Sequence, residues 1–352
     1  MVWRELEAVY NLLEDEMSKK IFEFKSKWYF QGGEDETIDY LYNYFEKSRI
    51  FGLEKYEEDT SFVICGAGKF GRNTLKALKH AGYKVKCFLD NDRSKSGSYI
   101  EDIKVLSFVE FASNEELNKN TVVILDNCRL SEVFFAELCS LGYPQDRIYR
   151  TSDNVVRTAF GEIYFDLFKA NGKDEVFIDA GSYNGETTRD FIKWCNGEYK
   201  KIYAIEPMQD GYYMTSSELK NIPNVELCRC ALSNCYGEAN FAQSYQGLMG
   251  ARLGENGDYV EKVKIDTIDN IVSDEYVTFI KMDIEGAELE ALKGAENVLR
   301  KCKPKLAISL YHKNEDLYQI PIWLSKVVPE YKFYLRHYSN KRWDLVLYCE
   351  AK

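Results

Sequence analysis

Apolar residues recur at helical spacing at the start of the chain, where Leu6, Val9, Tyr10, Leu12, Leu13 and Met17 share one face. This predicts an amphipathic helix. A second helix is expected from Glu36 to Lys47, after the break at Gln31-Gly32-Gly33. Residues 1–58 therefore read as a helical arm. It either packs on the rest of the chain or serves as a dimerisation element, because a small arm needs a partner surface for its apolar face. From residue 59 the pattern changes to short apolar runs alternating with helical stretches, as in parallel sheets with crossover helices. Phe62-Val63-Ile64-Cys65, Lys84 to Leu89, Val122 to Leu125 and Arg147 to Tyr149 are the expected strands of a Rossmann-like unit over residues 59–152. Val156, Phe160, Tyr164, Phe165 and Phe168 suggest a helical bridge over 155–174. A second α/β unit completes residues 153–352. Its strands end at Asp179 and at Glu206, continue as a strand followed by a turn over Asn224 to Ser233, stop just before Asp283 and end at His312.

Each unit opens with a glycine loop between its first strand and first helix. In the first unit the loop is Gly66-Ala67-Gly68-Lys69-Phe70-Gly71, and the next strand ends at Asp90. Gly66, Gly68, Gly71 and Asp90 are in the order of a dinucleotide fingerprint, so a nucleotide or nucleotide-sugar is a candidate ligand. A purely structural unit is the alternative. In the second unit Asp179-Ala180-Gly181-Ser182-Tyr183-Asn184-Gly185 has the spacing D-x-G-x-x-x-G. That spacing suits S-adenosylmethionine, which has an adenosine but no pyrophosphate. Glu206, at the end of the following strand, is placed for the ribose hydroxyls. In open α/β sheets ligands lie outside the carboxyl ends of the strands, so Asp283 and Glu285 point to the same crevice. Asp283 as a mere helix cap is the bland alternative, and Glu288 reads as a solvated helix residue.

Composition narrows the classes. The chain has 352 residues, 45% hydrophobic and 29% charged, which suits a globular protein of two domains. A net charge of −11 argues against nucleic acid as the main partner. The ten cysteines form no C-x-x-C pair, and Cys65, Cys87, Cys302 and Cys349 lie in apolar runs, as buried thiols do in a reducing cytoplasm. No apolar run approaches the roughly 20 residues of a membrane span. A cytoplasmic location is expected. With only three histidines, His80, His312 and His337, a multi-histidine metal site is disfavoured. No metal ligands are assigned, although a divalent cation at Asp283 and Glu285 is left open.

The second unit resembles the FkbM family of S-adenosylmethionine-dependent methyltransferases. The resemblance rests on Phe177 to Glu186, Ala204 to Pro207, Ile280 to Ala295, Leu310 to Leu317 and Tyr334 to Ser339. Asp283-Ile284-Glu285-Gly286-Ala287-Glu288 is its most specific stretch. It implies a seven-stranded sheet with an antiparallel C-terminal hairpin, supplied here by Tyr331 to Tyr338 and Trp343 to Cys349. It also implies O-methyl transfer to hydroxyls of polyketides or of sugars in surface polysaccharides. The segment Phe88 to Asp92, with Lys95 and Val105, resembles the N-terminal domains of sugar O-acyltransferases, which favours a sugar or nucleotide-linked sugar acceptor. In this reading the cofactor residues are Asp179, Gly181, Ser182, Tyr183, Gly185, Glu206 and Asp283, with Ala231 and Leu232 near the adenine. His312, with an ordinary pKa near ~6.5, is the candidate base, and Asp283 and Glu285 are the alternatives. Residues 245–253 are a candidate loop over the acceptor. Two rival functions remain: an NAD(P)-dependent oxidoreductase using Gly66 to Gly71, and a non-catalytic nucleotide-sugar-binding protein.

Overall fold

The computed structural model describes residues 2–31, 37–44, 53, 56, 59–125, 131–150, 161–243, 252–253, 259–339 and 343–351. They divide into two compact units. One holds residues 1–35, 163–337 and 343–352, and the other residues 36–162 and 338–342.

The chain starts with α1 (Val2–Leu12) and α2 (Glu16–Gln31), both in the unit that carries the C-terminal sheet. Leu6, Val9, Leu13 and Met17 are buried, as their spacing requires. The second unit begins at α3 (Thr37–Tyr44), and the other residues of the expected helix, 36 and 45–47, lie outside the described residues. It continues through β1 (Ser61–Cys65), α4 (Lys69–His80), β2 (Lys84–Leu89), β3 (Tyr99–Ile100), β4 (Ile103–Leu106), α5 (Phe108–Ala112), α6 (Glu115–Asn118), β5 (Thr121–Leu125), α7 (Ser131–Ser140) and β6 (Ile148–Arg150). The strand order is β3-β4-β2-β1-β5-β6, with every pairing parallel except β3 with β4. Both faces of β1 are covered. Phe62 and Ile64 pack into one apolar cluster, Val63 and Cys65 into the other.

The expected helical bridge is not helical where it is described. Residues 161–174 run as turns, while Tyr164, Phe165 and Phe168 are buried. Their spacing reflects a segment laid over the C-terminal core, where Phe165 and Phe168 meet Phe279 edge-on. Val156 and Phe160 lie outside the described residues.

The larger unit then runs through β7 (Val176–Ala180), α8 (Glu186–Trp194), β8 (Lys201–Ile205), α9 (Gln209–Leu219), β9 (Val225–Cys228), β10 (Ala231–Leu232), β11 (Gly237–Gln243), β12 (Arg252–Leu253) and β13 (Tyr259–Asp266). It closes with α10 (Ile268–Val272), β14 (Phe279–Met282), α11 (Glu288–Lys293), α12 (Glu296–Cys302), β15 (Lys305–Ser309), α13 (Asp316–Val327), β16 (Tyr331–His337) and β17 (Leu345–Ala351). The main sheet has seven strands in the order β16-β17-β15-β14-β7-β8-β9. β14, β7, β8, β9 and β15 are parallel, and β17 and β16 form the antiparallel hairpin. This is the fold implied by the resemblance. Strands β10 to β13 form a separate four-stranded sheet. The hairpin turn at 340–342 and most of the 245–253 loop lie outside the described residues.

Candidate active site at the strand ends

β7 ends beside β14 on one flank and β8 on the other, with Ala180 opposite both Met282 and Ile205. The backbone turns away at once. Gly181 and Gly185 both have φ of +80°, and Tyr183 has +48°. Gly181 has a second constraint, since a Cβ there would lie 2.0 Å from the Asp283 carbonyl oxygen. Only glycine satisfies both the left-handed backbone and this approach. Glycine thereby brings the loop and Asp283 together.

Asp179 is fully buried beneath the loop. One carboxylate oxygen accepts from Lys281 Nζ at 2.9 Å and the other from Thr188 Oγ1 at 2.7 Å. Lys281 Nζ also donates to the Gly181 carbonyl at 2.7 Å. A buried charge is tolerable only with such partners. Asp179 thus braces the loop from below. Ser182 is buried next to Thr215, whose hydroxyl donates to the Tyr183 carbonyl at 2.8 Å.

Glu206 caps the end of β8. Its carboxylate accepts the backbone N–H groups of Tyr183 and Met208, each at 3.0 Å. Burial pushes its pKa above the ordinary carboxylate value, and these two hydrogen bonds oppose the rise. α9 crosses so close that a Cβ on Gly211 would lie 2.9 Å from the Glu206 side chain. Ala231 and Leu232 are buried on β10, and Ala231 joins Met208, Phe241 and Val263 in one apolar cluster. They sit on the second sheet and not in a turn after β9, with Ala231 beside the loop that follows Glu206.

Past β14, Asp283 accepts the hydroxyls of Tyr164 at 2.8 Å and Tyr311 at 2.9 Å. Burial would raise its pKa, but His312, Lys281 and the two tyrosines outweigh this and hold it below the usual value. Asp283 caps no helix, because α11 starts only at Glu288. Glu285 stands in the left-handed region at φ +58°, followed by Gly286 at +97°, and this tight turn directs the segment towards His312. The imidazole lies among three carboxylates. Nε2 is 3.5 Å from Asp283 and 3.4 Å from Glu285, and Nδ1 is 2.9 Å from Glu288. Burial alone would lower the His312 pKa; Glu288, Asp283 and Glu285 overcome it and raise it to about 9. The ordinary imidazole value expected for a free base therefore does not apply, and the ring rests as imidazolium at neutral pH.

Glu288 corrects the sequence reading most sharply. It is fully buried, and its Oε1 accepts the Ile284 N–H at 3.0 Å. Lys281 was missed as well, although a lysine inside the apolar run Phe279-Ile280-Lys281-Met282 is a signal, because a buried ammonium demands a carboxylate. In the N-terminal unit Asp90 accepts the Ala67 N–H at 2.8 Å, the Asp92 N–H at 2.9 Å and Lys95 Nζ at 3.0 Å. A Cβ on Gly71 would lie 1.9 Å from the Gly66 carbonyl oxygen, whereas Gly68 has open space and an ordinary backbone. Asp90 thus pins its own loop.

Among the described residues no helix is long and apolar enough to cross a membrane. No curated protein sequence matches the chain. In structure, the chain is similar to a methyltransferase FkbM from Methylobacillus flagellatus, at 19% identity and TM-score 0.49, over 95% of this chain and 99% of that one. About half of it is similar to an rRNA methylase from Streptococcus thermophilus, at 19% identity and TM-score 0.35, covering 51% of this chain and 88% of that one. A fibrillarin from Aeropyrum pernix with natively bound S-adenosyl-L-methionine matches at 10% identity and TM-score 0.34, covering 51% and 66%. The model of the Methyltransferase FkbM domain matches residues 179–335, the span from Asp179 through Glu206, Asp283 and His312 into β16. Across residues 179–335, therefore, the chain carries an FkbM-type methyltransferase domain.

Proposed function

We propose that the chain transfers a methyl group from S-adenosylmethionine to a hydroxyl, on a sugar or nucleotide-linked sugar. The observation that carries this reading is the convergence of the glycine loop, Glu206 and the Asp283–His312 cluster at the carboxyl ends of neighbouring strands. The loop from Gly181 to Gly185 leads into the N-terminus of α8, a favourable place for the donor's carboxylate. Glu206 accepts from the ribose hydroxyls, and Ala231 offers an apolar neighbour to the adenine. Asp179 and Lys281 hold the loop in place without touching the donor.

The reaction is a displacement. The acceptor oxygen forms a bond to the methyl carbon, the S–C bond breaks with its pair going to sulfur, and the hydroxyl proton leaves. With His312 already protonated, the carboxylates of Asp283 and Glu285 receive this proton and the imidazolium orients the hydroxyl. His312→Ala removes the group that orients the hydroxyl and is expected to lower kcat by about 100-fold, with donor affinity retained. The assay follows labelled methyl transfer from S-adenosylmethionine to a panel of free sugars and nucleotide-sugars. Transfer at the wild-type rate in His312→Ala contradicts the role of this group, and labelling of no hydroxyl acceptor contradicts the acceptor class. Support for a nucleotide-linked sugar comes from the Gly66 to Gly71 loop and its resemblance.

A further inference from the structure

Three carboxylates, of Asp283, Glu285 and Glu288, surround His312. One donor atom each from Asp283, Glu288 and His312 falls within 4.8 Å of the others. Glu285 reaches the same imidazole from the exposed side, 3.4 Å from Nε2. The His312 side chain is only 9% exposed, yet neither ring nitrogen makes a hydrogen bond of regular geometry. Glu288 is fully buried, and its Oε2 has no hydrogen-bond partner. Glu288 Oε1 stands 2.9 Å from Nδ1 and so fixes the ring with Nε2 towards Asp283 and Glu285. The spacings also fit a shared ion. Two donors each about 2.1 Å from one ion lie about 3.0 to 3.4 Å apart, and Nε2 is 3.5 Å from Asp283 and 3.4 Å from Glu285. Three carboxylates facing one imidazole leave an excess of negative charge that a dication neutralises. The donors are held from outside as well, since Tyr164 and Tyr311 donate to Asp283, and Glu288, itself held by the Ile284 N–H, stands against His312 Nδ1, as outer partners do around metal ligands.

We propose that Asp283, Glu285 and His312 Nε2 bind a divalent cation of the Mn2+ kind, with Glu288 holding the ring from Nδ1. The class follows from the donors, two carboxylates and one imidazole, without a thiolate. The ion would sit beside the strand ends of β14 and β15, where an acceptor oxygen or water could complete its coordination. Binding of the ion is independent of methyl transfer and stands or falls without it.

The test uses the full-length protein stripped with a chelator and titrated with Mn2+ alone, with unbound Mn2+ read by electron paramagnetic resonance. One ion per chain is expected. His312→Gln and Glu288→Gln should each weaken binding by about 10- to 100-fold, the size seen when a metal's supporting groups are removed. Circular dichroism reports whether these variants fold. Should neither fold, Glu285→Gln decides, because this half-exposed side chain can be changed without opening the core. Weaker Mn2+ binding in it supports the site, and wild-type affinity overturns it. Absence of Mn2+ binding by the wild type up to millimolar concentration overturns the proposal outright, as does wild-type affinity in folded His312→Gln and Glu288→Gln.

Discussion

At the residue scale the site depends on two kinds of exact fit, a buried charge pair and close backbone approach. Lys281 and Asp179 are 2.9 Å apart, at 2% and 0% exposure. Removing one partner leaves the other buried and uncompensated, which costs about 3–5 kcal/mol. Lys281→Ala should therefore lower the denaturation midpoint sharply, whereas Lys281→Met combined with Asp179→Leu should recover much of the loss. Equal destabilisation in the single and double variants would show that the pair is not coupled. Gly211→Ala tests close approach. Its methyl would displace the Glu206 carboxylate, so donor affinity should fall while the midpoint changes less than in Lys281→Ala. Glu206 also sets a pH dependence. It must be ionised to accept two hydroxyls, and its folded pKa is raised by burial. Donor affinity should therefore weaken as pH falls, starting above the range where an ordinary carboxylate titrates, and Glu206→Gln should remove the effect. Asp179, Glu206 and Asp283 were legible in the sequence because each ends an apolar run and so must lie at a strand end. Glu288 was not, because its burial comes from the tight turn at Glu285 and Gly286, which delays α11 and folds the acid inward.

At the element scale the informative feature is the open edge of the main sheet. β16 is the outermost strand of the sheet, and an unpaired edge invites pairing with another chain. Here the start of the chain covers it. The Glu14 N–H donates to the Phe333 carbonyl at 3.0 Å, the Ser18 hydroxyl accepts the Leu335 N–H at 2.9 Å, and Arg336 donates to both oxygens of Asp15 at 3.2 and 2.6 Å. Asp15 also accepts the Ser18 N–H at 2.8 Å, at the entrance to α2. Asp15→Ala should cost about 1 kcal/mol, as loss of a helix cap does. Burial works to raise the Asp15 pKa, but its bonds to Arg336 and Ser18 win and lower it. Its stabilising contribution is therefore present above the ordinary carboxylate value and is lost as pH falls through the lower folded one. Deleting residues 2–31 should expose β16 and drive self-association, read by sedimentation velocity; a monodisperse product of unchanged midpoint would contradict this. The amphipathic pattern of α1 was visible in the sequence. Its partner was not, because an apolar stripe does not say which surface covers it, and the surface comes from residues more than three hundred positions away.

At the scale of the whole molecule, two α/β sheets occupy one chain, and each opens with a glycine loop answered by an acid on the next strand. Each acid accepts one N–H from its glycine loop and one from two residues further on. They differ in their neighbours: Asp90 also accepts from Lys95, whereas the strand ends near Glu206 carry a cluster of further ionisable residues. The sequence pattern could not separate these cases, since strand, loop, helix and acid occur in the same order in both. The central claim is that the methyl donor binds at Gly181 to Gly185 and Glu206. Calorimetric titration of S-adenosylhomocysteine into the wild type and Glu206→Ala, with NADH and a UDP-sugar run alongside, tests it most directly. Saturable binding of S-adenosylhomocysteine by the wild type, lost in Glu206→Ala, is the predicted result. No binding of it, with NADH bound instead, would contradict the account and move the active centre to Gly66 to Gly71.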